Sequence, residues 1–101
     1  MKEKDLSLCL LYDIYAPLLS EKKRTVFELS YWQDLSLSEI AEHTGTTRQG
    51  VRELLRHTCD ELLEFENSLG LEKLYSSLNT LADETAETNP DISAKIKEIV
   101  S

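Results

Sequence analysis

Glycine and proline are scarce in this sequence, with three of one and two of the other among 101 residues. With so few breaks, helices should dominate. Cysteine is as rare. Cys9 and Cys59 stand 50 positions apart, each amid apolar neighbours and without a second ligand at metal spacing. They read as reduced thiols acting as small core hydrophobes, with no metal site, and they fit a cytoplasmic compartment. No apolar run approaches the roughly 20 residues that a bilayer span needs. Leu6 to Tyr12 is too short and poorly flanked for a signal peptide. Histidine is limited to His43 and His57, neither with a nucleophile or orienting acid at a recognisable spacing. Gly45, Gly50 and Gly70 are too dispersed to cradle a phosphate. These absences argue against an enzyme, a cofactor, a small-molecule substrate or a membrane partner.

What the chain has in excess is acid, with a net charge of −8. Taken alone, that opposes a polyanionic partner. The charge is unevenly spread, however. Residues 58–91 hold nine acids against the single base Lys73, and this segment alone carries −8. Residues 20–57 hold six bases and six acids and sum to zero. The acidity belongs to one half of the chain.

The length bounds the fold to one compact domain with an appendage. The pattern divides it into residues 1–70 and an acidic helical extension over 71–101. Between Leu6 and Leu19 only Ser7, Asp13 and Pro17 interrupt apolar side chains. A helix apolar on nearly every side calls for burial on more than one face, hence for a subunit interface. Pro17 should end it near Ala16. Ser20 caps a second helix whose buried face is Val26, Phe27, Tyr31 and Trp32. Ser36 and Glu39 have capping-box spacing ahead of a short third helix that stops before Gly45. Thr47 or Thr46 caps a fourth helix of about 23 residues, roughly 34 Å long. Its apolar positions Val51, Leu54, Leu55, Leu62, Phe65 and Leu69 keep intervals of three and four until Gly70. A fifth amphipathic helix follows over Leu71 to Ala82. Asn89 and Pro90 open a last one that should bury Ile92, Ile96, Ile99 and Val100.

The informative block is Leu37 to Arg56. Two short helices that cross steeply need a small residue where they touch and a flexible one where they turn. Ala41 and Gly45 have those properties, and Ile40, Val51 and Leu54 fill the wedge. This is helix-turn-helix spacing, with one departure: Thr46 stands where an apolar residue commonly follows the glycine. Arg48, Arg52 and Arg56 recur every four residues and share a stripe with Thr47 and Gln49. Arginine reads guanine and glutamine reads adenine in the major groove. Thr47 and the amides of the helix start can take a phosphate. Lys22, Lys23 and Arg24 open the second helix and could hold the backbone alongside. The plainer alternative is that these are solvated charges, with Arg56 paired to Asp60 at i+4.

Residues 20–57, with Arg24-x-Val26-Phe27-x-Leu29 followed by Leu37-x-Glu39-Ile40-Ala41, resemble region 4 of sigma-70-type factors. The longer span 6–75, including Leu11-Tyr12-Asp13-x-Tyr15, resembles the small YlxM family of Gram-positive bacteria. That resemblance implies a cytoplasmic regulator linked to the signal recognition particle. It also implies an all-α fold of five to six helices, a sigma-70 region 4-like core and a helical C-terminal extension.

Two functions stand open. The first is DNA binding through Thr47, Arg48, Gln49, Arg52 and Arg56, with Lys22, Lys23 and Arg24 on phosphates, RNA being a less favoured variant. Four to six neutralised phosphates would give a log–log salt slope of roughly −4 to −5. The second is a protein-interaction module for the signal-recognition GTPase or its RNA–protein particle, motivated by the acidic span. Either function suits a homodimer formed by the first helix and the later parts of the fourth and fifth.

Overall fold

The computed structural model describes residues 5–101, and the chain there is all helical. Six α-helices follow in order: α1 Leu6–Tyr15, α2 Glu21–Tyr31, α3 Leu37–Thr44, α4 Arg48–Leu69, α5 Leu71–Thr85 and α6 Pro90–Val100. No strand occurs among the described residues. The chain forms two compact units, divided between Ser68 and Leu69.

Local chemistry sets most helix ends. Asp5 caps α1, accepting the Ser7 amide at 2.9 Å, and Pro17 sits in the short 3₁₀ turn Ala16–Leu18 that closes it. The Ser20 hydroxyl accepts the Lys23 amide at the start of α2. At α3 the capping box is complete: Glu39 N–H donates to Ser36 Oγ at 3.1 Å, and Ser36 N–H donates to Glu39 Oε1 at 2.9 Å. Those bonds favour the ionised carboxylate and hold Glu39 below the usual glutamate range. Gly45 then adopts φ 72°. That left-handed step lets the Thr46 amide reach back to the Ala41 carbonyl at 3.0 Å, which closes α3 in a Schellman motif.

In the first unit, α1 packs on α2 through a ring stack. Phe27 is fully buried between Tyr12, at 4.4 Å between centroids, and Tyr31, at 4.2 Å. Burial pushes the phenols of both tyrosines well above their ordinary range. The Glu28 carboxylate that accepts the Tyr12 hydroxyl adds to that shift. Trp32 lies edge-on to Tyr12 but remains 51% exposed, so it does not join the buried face as expected. Its place is taken by Leu29 and Ser30. Cys9 and Cys59 are half-buried thiols. Burial also raises the Cys59 thiol above its usual range, leaving little thiolate for chemistry.

The second unit is an antiparallel helical hairpin. The Ser93 hydroxyl donates to the Ala82 carbonyl at 2.7 Å, and Lys97 reaches both Asn79 and Asp83. Asn89 caps α6, as its place before Pro90 suggested. Ile92 and Ile99, expected to be buried, are instead exposed. A hairpin has one inner seam, and that seam is filled by Ala82 and Ser93.

Candidate nucleic-acid interface

The crossing of α3 and α4 is built from the residues that the spacing singled out. Ile40, Ala41 and Val51 are buried in one cluster with Val26 and Leu29 of α2, and Leu54 packs on it half-buried. Gly45 makes the turn between the helices. Thr47 caps α4, its Oγ1 accepting the Gly50 amide at 3.0 Å. A Cβ on Gly50 would stand only 3.1 Å from that oxygen, so a glycine there leaves the cap room. Nothing in the periodicity pointed to Gly50.

Because an α-helix turns ~100° per residue, positions four apart advance ~40° around it. Val51 therefore points inward while Arg48, Arg52 and Arg56 fan across the outer surface beside Gln49. All four of these polar residues are exposed. Among the described residues, the side chains of Arg48, Gln49 and Arg52 make no hydrogen bond or ion pair with the rest of the protein. Arg56 differs. Its guanidinium lies 3.1 Å from Glu53 and 3.5 Å from Asp60, and it donates towards His57 Nε2 at 3.0 Å. It is tied along its own helix, as the i+4 alternative foresaw for Asp60.

The three bases that open α2 also divide. Lys22 is exposed. Lys23 extends to Glu61 on α4, with Nζ 3.1 Å from Oε1, both side chains partly buried. The Arg24 guanidinium folds back to donate to the carbonyls of Ala16 and Leu19 in the turn that precedes α2. Lys23 thus ties α2 to α4, and Arg24 ties α2 to the turn that follows α1. Neither partnership has a signal at helical spacing, because Lys23 and Glu61 are 38 positions apart.

On the other flank of α4, a groove of about 790 Å³ opens between the start of α2, the end of α3 and the first turns of α4. Val26, Val51 and Leu54 line it together with Lys22, Glu53 and His57. Among the described residues no group of His, Cys, Asp and Glu could hold a metal ion. No described helix is long and apolar enough to cross a membrane.

The chain matches the UPF0122 family, described as "Putative helix-turn-helix protein, YlxM / p13 like", over residues 2–100. It belongs to that family. A UPF0122 protein of Clostridium kluyveri is 48% identical over 69 residues, which is 68% of this chain and 62% of the relative. The chain thus spans less than two thirds of that relative's length. A UPF0122 protein of Thermoanaerobacter sp. (strain X514) is 36% identical over 108 aligned residues, covering 98% of this chain and 92% of the relative. One from Ureaplasma urealyticum serovar 10 is 36% identical over 98 residues, 97% of each. The family description names a structural motif and no reaction.

Proposed function

We propose that this protein is a cytoplasmic regulator that binds double-stranded DNA through its helix-turn-helix, with a sigma-70 region 4-like mode of docking. One observation carries the reading. Arg48, Gln49 and Arg52 are exposed on α4 and uncommitted among the described residues, while Val51 on another side of that helix is locked into the core. In the major groove such side chains meet base edges, and Thr47 and Lys22 would contact phosphates in this reading. Lys23 and Arg24 act through the scaffold in this reading, because their charges already have partners. The assembly is a two-fold homodimer, which would offer recognition helices to successive grooves about 34 Å apart.

A second reading has its own support. The acidic half includes Asp60 and Glu64, which are exposed on α4 below the arginines. A basic protein such as the signal-recognition GTPase, or its RNA–protein particle, suits that surface by charge. Binding of wild type and Arg48→Glu to genomic DNA, signal-recognition RNA and the GTPase, measured in parallel, separates the two. DNA binding that Arg48→Glu abolishes supports the first reading. GTPase binding insensitive to Arg48→Glu, together with no DNA binding, replaces it with the second.

A further inference from the structure

The hairpin of α5 and α6 is apolar on two sides of each helix. One side forms the seam between the helices, where Ala82 and Ser93 are buried. The other is a stripe with seven-residue spacing on both: Leu74 and Leu81 on α5, Ile92 and Ile99 on α6. At ~100° per residue these two stripes fall on the same flank of an antiparallel pair. Their side chains are 51%, 46%, 47% and 76% exposed. Leu78 and Ile96 lie between them, half-buried. The result is a continuous apolar face two helices wide, the pattern that each layer of a four-helix bundle presents to the other.

We infer that this face docks the same face of a second copy, the two hairpins forming an antiparallel four-helix bundle. The inference rests on the homodimer reading and names its surface. Charge complementarity selects the second copy over another occupant. Glu84 follows Leu81 by one turn and edges the face on α5, while Lys95 follows Ile92 by one turn and edges it on α6. Both are exposed. Turning the hairpin about a two-fold axis along the helices lays α5 of one copy over α6 of the other. Glu84 then meets Lys95 of the second copy on both edges, so the surface is complementary to itself. The alternative at α1 is narrower. There Leu6 and Leu10 are exposed on one helix, with Asp13 on the same side.

Sedimentation equilibrium of the full chain tests this, with far-UV circular dichroism as the check on folding. Wild type is expected at twice the chain mass, and the double variant Leu81→Glu/Ile99→Glu at the single mass with its helicity kept. Glu84→Lys or Lys95→Glu, each repeated twice by the two-fold, should weaken association by about tenfold, and the combined reversal should restore it. A dimer that survives Leu81→Glu/Ile99→Glu but is broken by Leu10→Glu overturns the hairpin interface and leaves the homodimer standing. A wild-type chain that stays at the single mass overturns both. If the single charge reversals change nothing, or the combined one fails to restore association, the two-fold register is wrong.

Discussion

The ammonium of Lys23 and the carboxylate of Glu61 meet at 3.1 Å and tie the start of α2 to the middle of α4. Nearby the Tyr15 hydroxyl donates to Glu66 Oε1 at 2.7 Å, from α1 to the same helix. Two acids of the acidic half thus stabilise the helical scaffold from within. The pair is partly exposed, so solvent screens it. Lys23→Met or Glu61→Gln should each lower unfolding free energy by only about 0.5–1 kcal/mol. In a urea-melt double-mutant cycle, the combined loss should be smaller than the sum of the two. An additive cycle would show that the contact contributes nothing.

Gly45 offers a cleaner separation of backbone from packing. Its φ is 72°, and nothing lies within 4 Å of a Cβ placed on it. Gly45→Ala should therefore destabilise the protein by about 1–2 kcal/mol through conformation alone. Gly45→Asn should cost less, because asparagine tolerates the left-handed region. Thermal melts of the two variants provide the comparison.

These cases also show what a sequence can reveal. Ser36, Glu39, Gly45 and Asn89 act on neighbours within a few residues, so their spacing alone located the ends of α3, the start of α6 and the turn between α3 and α4. Only the folded chain selects Thr47 over Thr46 as the cap of α4. Periodicity likewise identified Val51 and Leu62 on the inward side of α4, but it missed the buried Thr58 and included the exposed Leu69. It could not say what covers an apolar stripe, which is why Trp32, Ile92 and Ile99 were expected inside and lie exposed. Nor could it tell a base that faces solvent from one that reaches across the fold. Lys22, Lys23 and Arg24 are consecutive and chemically alike, yet only the folded chain brings Glu61 to Lys23 and the turn carbonyls to Arg24.

Arg56 is held by Glu53 and Asp60, so its charge is partly spent within α4. Glu53→Gln removes the nearer carboxylate. DNA affinity should rise several-fold at low salt, and the log–log salt slope should steepen by about one, as one more guanidinium becomes available for a phosphate. A fluorescence-anisotropy titration at several salt concentrations reads both. Unchanged slope and affinity would keep Arg56 out of the interface.

Tyr12 makes the fold sensitive to alkali. Burial first, and then its bond to Glu28, raise the folded-state phenol above the unfolded value of about 10. The stability linked to this group is complete below about pH 10 and is lost as pH climbs towards the folded value, because the unfolded chain deprotonates first. Tyr31 behaves alike, chiefly through burial. Urea midpoints should fall above about pH 10 in wild type. The fall should be shallower in Tyr12→Phe, which starts from a lower stability. Parallel curves for the two proteins would remove Tyr12 from the effect.

Salt-titrated binding of duplex DNA by wild type, Arg48→Ala and Arg52→Ala bears most directly on whether the outer face of α4 contacts nucleic acid. With Lys23 and Arg24 already committed, Lys22, Arg48 and Arg52, with a partial share from Arg56, remain for phosphates and base edges. The wild-type slope should then be roughly −3 per protomer, shallower than the roughly −4 to −5 expected for four to six phosphates, and each alanine should weaken binding by about 1–3 kcal/mol without lowering stability. Binding that ignores salt, or that both alanine variants retain in full, would contradict it.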